Sequence, residues 1–212
     1  MKKKLGRTIS ALLILTLVLS AMGCTTPAEP VEASDFQDVS SEDWFYRYVV
    51  GGLRFGLVTY TRENGLYFEP YRDVTLEEFI TMLGRLHEYS GETIRESYIE
   101  WASGAGLIGG EGLENLDPYG PITRERMAVI VDRYIWGFDL WELFNMATPN
   151  LMSPQDRREV SSWAVQAVSR MAIRRLVAAD HSGGPWYYRP QANATRAEVL
   201  SVLVPMCRTI NR

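Results

Sequence analysis

The sequence predicts an all-helical protein made of three tandem helix-loop-helix repeats. The main observation is a fixed offset, because Thr75, Thr123 and Thr195 each lie five positions after a proline. An apolar run at helical spacing follows each of these threonines, as an amphipathic helix requires. A spacing that recurs in this way indicates an internal repeat. The repeats favour one composite unit over separate domains.

Residues 1–23 are typical of an export signal. Three lysines and Arg7 form a basic beginning, the stretch 9–19 is a short apolar core, and small residues follow. That core is too short to span a membrane comfortably, which takes about 20 apolar residues. We therefore predict that residues 1–23 are a signal peptide and that the chain is exported.

The end of this signal resembles the cleavage site of a bacterial lipoprotein. It reads Leu19-Ser20-Ala21-Met22-Gly23-Cys24, with Ala21 and Met22 departing from the usual residues. The resemblance implies that Cys24 is lipidated and tethers the chain to the membrane. The alternative is a secretory peptide cleaved near Gly23, which leaves Cys24 as a free thiol. Residues 24–35 contain prolines and small residues, and they suit a flexible tether.

The charge of the remaining chain excludes a nucleic-acid partner. Residues 1–23 hold four basic and no acidic residues, so the rest has 18 basic and 26 acidic residues. Nucleic acids call for basic surfaces instead. All of the remaining basic residues are arginines, so arginine is the side chain available to bind a carboxylate. Once Cys24 is lipidated, Cys207 has no partner for a disulfide.

The first repeat is predicted to span residues 36–90. It opens with Phe36-Gln37-Asp38-Val39, and a first helix from about Asp43 to Phe55 follows and includes Trp44. The second helix is predicted from Thr75 to about Glu88. Its apolar stripe comprises Phe79, Ile80, Leu83 and Leu86.

The second repeat is predicted to span residues 91–149 and lacks the Phe-x-Asp-Val opening. Its first helix should run from about Ile94 to Ala105, and its second helix follows Thr123. The aromatic stretch 138–151 is interpreted as a helix extension or a connector packed on the core, and not as a site.

The third repeat is predicted to span residues 150–212. Its first helix should run from about Glu159 to Arg174, with Trp163 on the buried side. Trp163 lies 13 residues before Leu176, as Trp44 lies 13 residues before Leu57. Proline inside the last helix, at position 205, is expected to kink or end it.

The three threonines are predicted to be helix N-caps, which accept hydrogen bonds from amides of the first turn. Glu78 and Glu198 lie three residues after their threonines and complete capping boxes in copies one and three, whereas copy two has Arg126 there. Arg124 and Arg196 occupy first helical positions, where an arginine and free amides can form an anion site. The alternative is a solvated arginine at each helix start. Copy one has Leu76 at this position.

Taken together, these motifs resemble S-layer homology domains in tandem. The matching residues are Phe36, Asp38 and Val39, then Trp44, Gly106-Leu107-Ile108-Gly109-Gly110, Phe68-x-Pro70, Tyr188-x-Pro190 and Ala194-Thr195-Arg196-Ala197-Glu198. The resemblance covers nearly everything after residue 34. It implies a pseudo-threefold, three-pronged arrangement of the repeats that binds cell-wall polysaccharide, often pyruvylated, in grooves between prongs.

The chemistry of the residues agrees with this implication. A ketal-linked pyruvate carries a carboxylate, which arginine and a helix start can hold. The predicted ligand-binding residues are therefore Arg124, Arg196, Thr123, Thr195, Asp38 and the sugar-stacking candidates Trp44 and Trp163. The alternative for both tryptophans is a place in the helix core.

Enzyme motifs are missing from the sequence. It has no metal-ligand cluster of His, Cys and Glu, no nucleophile elbow and no phosphate loop, so we expect no cofactor, no metal and no catalysis. Two classes of function stay open. One is a carbohydrate-binding anchor of the bacterial cell envelope. The other is a surface structural or protein-interaction lipoprotein whose degenerate repeats contact an envelope protein and not polysaccharide.

Overall fold

The computed structural model describes residues 30–60, 65–144, 154–177 and 187–210, and no β-strand occurs among them. The predicted all-α class is confirmed. The signal peptide and Cys24 lie outside the described residues. The α-helices of the described part are α1 (Tyr46–Arg54), α2 (Leu76–Tyr89), α3 (Tyr98–Gly104), α4 (Arg124–Gly137), α5 (Val165–Ile173) and α6 (Arg196–Ile210).

The first helix of each repeat is shorter than predicted. Helices α1, α3 and α5 begin at Tyr46, Tyr98 and Val165, so the tryptophans at positions 44 and 163 precede their helices. Two positions after the end of each helix lies a residue in the left-handed region, and a buried leucine follows it. This residue is Gly56 (φ 69°), Gly106 (φ 69°) and Arg175 (φ 57°) in turn. Glycine adopts this conformation without strain, whereas arginine does not.

The second helix of each repeat begins as the sequence predicts. The hydroxyl of Thr75 accepts a bond from the amide of Glu78 at 3.2 Å, and Thr123 and Thr195 cap their helices in the same way. The carboxylate of Glu78 accepts from the Thr75 amide at 3.0 Å, and Glu198 accepts from the Thr195 amide at 2.9 Å. Both predicted capping boxes are confirmed.

The buried faces of these helices also follow the predicted stripes. In α2 the stripe residues Phe79, Ile80, Leu83 and Leu86 are all buried. Of the two alternatives predicted for Pro205, an end of the helix is wrong, because α6 continues through this proline to Ile210; a kink stays a prediction. Residues on both sides of the proline are buried against the rest of the protein, and such packing can hold a helix together despite one lost hydrogen bond.

The three loops that precede the second helices meet in a closed ring of backbone hydrogen bonds. The amide of Val74 donates to Ala194 (2.9 Å), the amide of Ala194 donates to Ile122 (2.9 Å), and the amide of Ile122 donates to Val74 (3.0 Å). We call these three residues the central triangle. All three are buried. Because each repeat contributes one equivalent residue, the ring relates the repeats by a pseudo-threefold axis.

The start of each second helix is bonded to the loop of the following repeat. The first helical amides, those of Leu76, Arg124 and Arg196, donate to Gly120, Ala192 and Arg72 at 3.0, 2.9 and 3.1 Å. The next amide in each helix donates to a proline carbonyl of the same loop. An α-helix leaves its first amides without intrahelical partners, and here a neighbouring repeat supplies these partners. We name these contacts the repeat 1–2, repeat 2–3 and repeat 3–1 junctions.

The helices pair across repeats rather than within them. Helix α2 packs against α3, α4 packs against α5, and α6 packs against α1. Each pair therefore joins the second helix of one repeat to the first helix of the next, and the pair of α6 with α1 closes the ring. A single repeat cannot bury its helices alone, which agrees with the predicted composite unit.

One position in the second helices differs at each of these interfaces. Gly84, Asp132 and Val204 are the ninth residues of α2, α4 and α6. Gly84 leaves room for the ring of Tyr98, and Val204 fills the space above Gly51. Asp132 instead forms an ion pair with Arg170 at 2.5 Å and with Arg174 at 2.7 Å. The α4–α5 pair thus has an electrostatic contact where the others have shape complementarity.

Two segments lie at the edges of the repeats, and the first of them differs from its prediction. A 3₁₀ turn at Ala33–Asp35 packs against α1, and Ala33 is buried, so the folded unit begins within the predicted tether 24–35. In the aromatic connector, residues 138–144 form turns and Phe144 is buried, while Trp136 at the end of α4 is exposed. None of the described helices is long and apolar enough to cross a membrane.

Candidate functional site

The arginines predicted to bind an anion lie inside the protein. Arg124 is 0% exposed and Arg196 is 2% exposed. Burying a guanidinium group is costly unless polar partners surround it, so the partners of each arginine identify what it does. Both arginines lie at junctions between repeats.

Arg124 connects the second repeat to the third. Its Nε donates to the carbonyl of Tyr188 at 2.6 Å, and its Nη1 lies 2.5 Å from the carboxylate of Glu198. The guanidinium carbon is 5.1 Å from the centre of the Tyr188 ring, and the hydroxyl of this tyrosine donates to the carbonyl of Arg124. The guanidinium group of Arg124 is thus neutralised by a carboxylate and packed against an aromatic ring.

Arg196 repeats this arrangement between the third repeat and the first. Its Nε donates to the carbonyl of Phe68 at 2.6 Å, and its guanidinium carbon lies 4.9 Å from the centre of the Phe68 ring. Its terminal nitrogens donate to the hydroxyl and the carbonyl of Thr59. Burial lowers the pKa of Arg196 from its ordinary value.

These contacts correct the geometry that the sequence predicts for Arg124 and Arg196. The helix-start amides are not free, because they donate to carbonyls of the next repeat. Thr123 and Thr195 are engaged as caps, and both guanidinium groups have buried protein partners. The open two-pronged anion site is therefore not present at either helix start, and direct ligand contact by these four residues stays a prediction.

Asp38 holds the aromatic loop on which Arg196 rests. Its carboxylate accepts bonds from the amides of Phe68 at 2.9 Å and Glu69 at 2.7 Å. Glu69 has a φ of 59°, an unfavourable conformation for a residue with a side chain. The two bonds hold this strained turn in place. Asp38 thus supports the loop from within, and any contact of Asp38 with ligand is a prediction that the structure leaves open.

The third repeat contains an equivalent of Asp38 that the sequence analysis missed. The carboxylate of Asp156 accepts from the amides of Tyr188 at 2.9 Å and Arg189 at 2.5 Å, and Arg189 has a φ of 54°. The missed signal is the spacing to the aromatic-x-Pro segment, which starts 30 residues after Asp38 and 32 residues after Asp156.

The repeat 1–2 junction replaces this whole set of polar residues. Leu76 stands where the other junctions have Arg124 and Arg196, and Leu116 stands where they have Tyr188 and Phe68. Arg126 is the third residue of its helix. The equivalent residue in the third repeat is Glu198, which pairs with Arg124. The missing capping box in copy two and the missing arginine in copy one therefore concern the same junction. An arginine at position 76 would face Arg126, a like charge, and not a glutamate.

Arg126 instead contributes to a junction surface with Trp163. Its Nε donates to the carbonyl of Gly112 at 3.2 Å. A Cβ added at Gly112 would lie 2.4 Å from the Trp163 ring, so the indole rests on this glycine. Arg126 and Trp163 are each half-buried. The structure thus brings two half-buried residues, Trp163 of the third repeat and Arg126, to one loop of the second repeat, which sequence reasoning did not foresee for Arg126.

Trp44 is the more accessible of the two predicted tryptophans. It is 44% exposed and makes edge contacts with Phe45 and Tyr48. Arg47 lies 4.7 Å from the centre of the Tyr48 ring. Trp44 is therefore not a core residue, and it presents an aromatic surface next to the Tyr48 ring, over which Arg47 lies.

The sequence analysis also missed Glu125, to which it gave no role. Glu125 is buried and accepts bonds from the amide (3.0 Å) and hydroxyl (2.8 Å) of Ser161 and from the side chain of Gln191 (2.9 Å). It ties α4 to the third repeat. No group of His, Cys, Asp and Glu that could hold a metal ion occurs within the described ranges.

These features define a class of protein, an all-helical module in which three repeats are interlocked through cyclic junctions. The family model of the S-layer homology domain matches residues 92–128 of this chain. The predicted resemblance is confirmed. An S-layer homology domain is a cell-surface anchoring module that typically binds cell-wall polysaccharide, which indicates an envelope location for this chain.

Several characterised bacterial proteins contain similar segments. An endoglucanase of Bacillus sp. (strain KSM-635) is 26% identical over 95% of this chain and 22% of its own length. An amylopullulanase of Thermoanaerobacterium thermosulfurigenes is 28% identical over 64% of this chain and 8% of its own length. The surface-layer 125 kDa protein of Lysinibacillus sphaericus is 29% identical over 50% of this chain and 10% of its own length. The chain spans less than a quarter of each relative.

Proposed function

We propose that this chain is a non-catalytic anchor that binds cell-wall polysaccharide at the surfaces between its repeats. The observation that carries the proposal is the S-layer homology sequence at residues 92–128, which includes Gly112 and Arg126. This segment contributes one side of the junction surface on which Trp163 rests.

The names of the relatives support a shared, non-catalytic role. Two are named as different enzymes and one as a surface-layer protein. Each of the three proteins contains a segment similar to this chain. Such a segment is better explained by a function that all three share than by the activity of either enzyme. The described residues agree, because the buried acids Glu125, Asp156 and Glu198 are hydrogen-bonded within the protein.

The proposed ligand is a polysaccharide that carries carboxylates, such as a pyruvylated sugar. Trp163 and Trp44 offer aromatic surfaces on which sugar rings can stack, and Arg126 is bonded to Gly112, the glycine on which Trp163 rests, where it is available for a charge-assisted bond. In this proposal Arg124, Arg196, Asp38 and the two threonine caps keep the loops in position.

The test is sedimentation of the protein with purified cell wall of an S-layer-bearing Gram-positive bacterium, before and after mild acid removes ketal-linked pyruvate. We expect the wild type to bind untreated wall. Arg126→Gln and Trp163→Ala should each weaken binding at least fivefold. Arg54→Gln is the matched control, because Arg54 is exposed at the end of α1.

Each result separates the candidate functions. If the two site variants bind wall as well as the control does, the polysaccharide does not bind at the Trp163 surface. Binding that survives the acid treatment unchanged would remove pyruvate from the proposal. An absence of wall binding by the folded wild type would favour the second function, a surface lipoprotein that contacts an envelope protein.

A separate part of the proposal concerns the membrane. We propose that Cys24 is lipidated and that it tethers the chain to the outer face of the membrane. Metabolic labelling with a fatty-acid analogue should tag the wild type and not Cys24→Ala. Equal labelling of both proteins, or of neither, would contradict the lipid anchor and leave the wall-binding proposal standing.

A further inference from the structure

A pocket lies beside the α4–α5 pair, and none of its lining residues belongs to the junctions described above. It has a volume of about 240 Å³. Its lining consists of Trp136, Trp141, Phe144, Arg170, Ile173 and Arg174. The sequence analysis assigned no site to the connector. In the structure, Trp136 at the end of α4 and two connector aromatics form one wall of the pocket, and two arginines of the third repeat form another.

Contacts among the residues of the aromatic wall fix the orientation of its two indole rings. The indoles of Trp136 and Trp141 are stacked, with centroids 6.1 Å apart and planes inclined by 14°. The Nε1 of Trp141 donates to Asp139 at 2.9 Å, which fixes the orientation of this ring. Trp136 is 51% exposed although it is large and apolar. A flat, accessible indole of this kind suits the apolar face of a sugar ring.

The charged wall carries a net positive charge. Arg170 donates to both carboxylate oxygens of Asp132, at 2.9 and 2.5 Å, and Arg174 donates to the same carboxylate at 2.7 Å. The side chain of Arg174 is only 8% exposed. Two guanidinium groups thus share one carboxylate, and this cluster of three residues has a charge of +1. Each guanidinium has five N–H donors, more than a shared carboxylate can accept.

We propose that this pocket binds one sugar residue that carries a carboxylate, with the ring on Trp136 and the carboxylate on Arg170 and Arg174. The inference rests on the proposed polysaccharide function but adds a site outside the repeat junctions. A guanidinium pair matches the flat geometry of a carboxylate. The volume is below the roughly 300–1,000 Å³ of pockets for drug-sized ligands, and it therefore suits a single sugar ring.

The test uses small probes and the folded protein, so that it does not depend on wall binding. The probes are methyl glucuronide, methyl glucoside with a 4,6-linked pyruvate ketal, and plain methyl glucoside. Binding is followed by NMR through the indole N–H signals of Trp136 and Trp141. We expect at least one acidic probe to bind tenfold or more tightly than methyl glucoside and to shift these signals, and the better acidic probe identifies the source of the carboxylate.

Variants locate the binding. Trp136→Ala and Arg170→Gln should each weaken binding of the better acidic probe at least fivefold. Tyr119→Ala is the matched control, because Tyr119 is an exposed aromatic residue outside the pocket. Arg170→Gln leaves the ion pair of Asp132 with Arg174 in place, and a thermal melt checks that each variant is folded.

The outcomes are distinct from those of the wall experiment. Equal affinity for acidic and neutral probes, absence of a shift in the two indole signals, or equal binding by Trp136→Ala and the control would overturn the pocket proposal. If the wild type sediments with wall but binds none of the three probes, the pocket proposal is refuted and the anchor proposal stands. A wild type that binds an acidic probe but not wall would keep the pocket and refute the anchor.

Discussion

Replacing Arg124 by leucine tests whether the junction arginines hold the repeats together. The side chain of Arg124 is completely buried, and Arg124→Leu removes its bonds to Tyr188 and Glu198 while preserving apolar contact with the Tyr188 ring. The variant also leaves Glu198 buried without its closest cation. We expect the free energy of unfolding to fall, with the repeats still unfolding in one transition.

The magnitude follows from what Glu198 retains. Breaking a buried ion pair by removing one partner costs about 3–5 kcal/mol. Glu198 keeps bonds from the exposed side chain of Arg189 at 2.7 Å and from the amide of Thr195 at 2.9 Å. The loss should therefore lie near the lower limit, about 3 kcal/mol. The double variant Arg124→Leu/Glu198→Gln should lose less than the single variant, because no buried charge is left without its partner.

Urea denaturation followed by tryptophan fluorescence measures these differences. The control is Arg54→Leu, a surface change that should stay within about 0.5 kcal/mol of the wild type. A loss below about 1 kcal/mol in Arg124→Leu would refute the structural role, since such values are typical of exposed pairs. A double variant that is less stable than the single variant would refute the assignment of the buried charge to Glu198.

Three further predictions test other parts of the fold. Arg175→Gly should stabilise the protein by about 1 kcal/mol in urea denaturation, because Arg175 has a φ of 57° where glycine is unstrained. Asp38→Asn should destabilise it by about 1.5–3 kcal/mol, because one amide of the strained turn loses its charged acceptor; a loss no larger than that of Arg54→Leu would contradict this role. Burial lowers the pKa of His87 from 6.5, so the folded state binds fewer protons and stability should fall as the pH drops below 6.5. His87→Gln should flatten this part of the pH profile, and an unchanged profile would argue against it.

The local features of the fold could be predicted from the sequence because they depend on neighbouring residues. The threonine caps, the capping boxes at Glu78 and Glu198 and the apolar stripe of α2 all involve residues a few positions apart. At a helix start, a threonine hydroxyl accepts a hydrogen bond from the amide three residues later, and this contact can be predicted from spacing alone. The first helices were predicted too long, because an apolar pattern alone does not show where the hydrogen bonds begin.

The role of the arginines could not be predicted in the same way. Arg124 lies 64 positions from Tyr188, and Arg196 lies 128 positions from Phe68. Propensity and spacing favoured a solvent-exposed arginine at a helix start, and only the packing of three loops around one axis reveals the buried partners. The same packing explains Leu76 and Arg126 together, although the sequence analysis treated them as separate departures.

The pairing of α6 with α1 has a consequence for how the protein reaches its folded state. These two helices are the last and the first of the described chain, and contacts between distant segments slow folding because a long loop must close before they form. Because the chain is synthesised from its N-terminus, α1 is present well before the helix that it packs against. The ring of repeats can close only when α6 is present, and until then α1 lacks the partner that buries its apolar face.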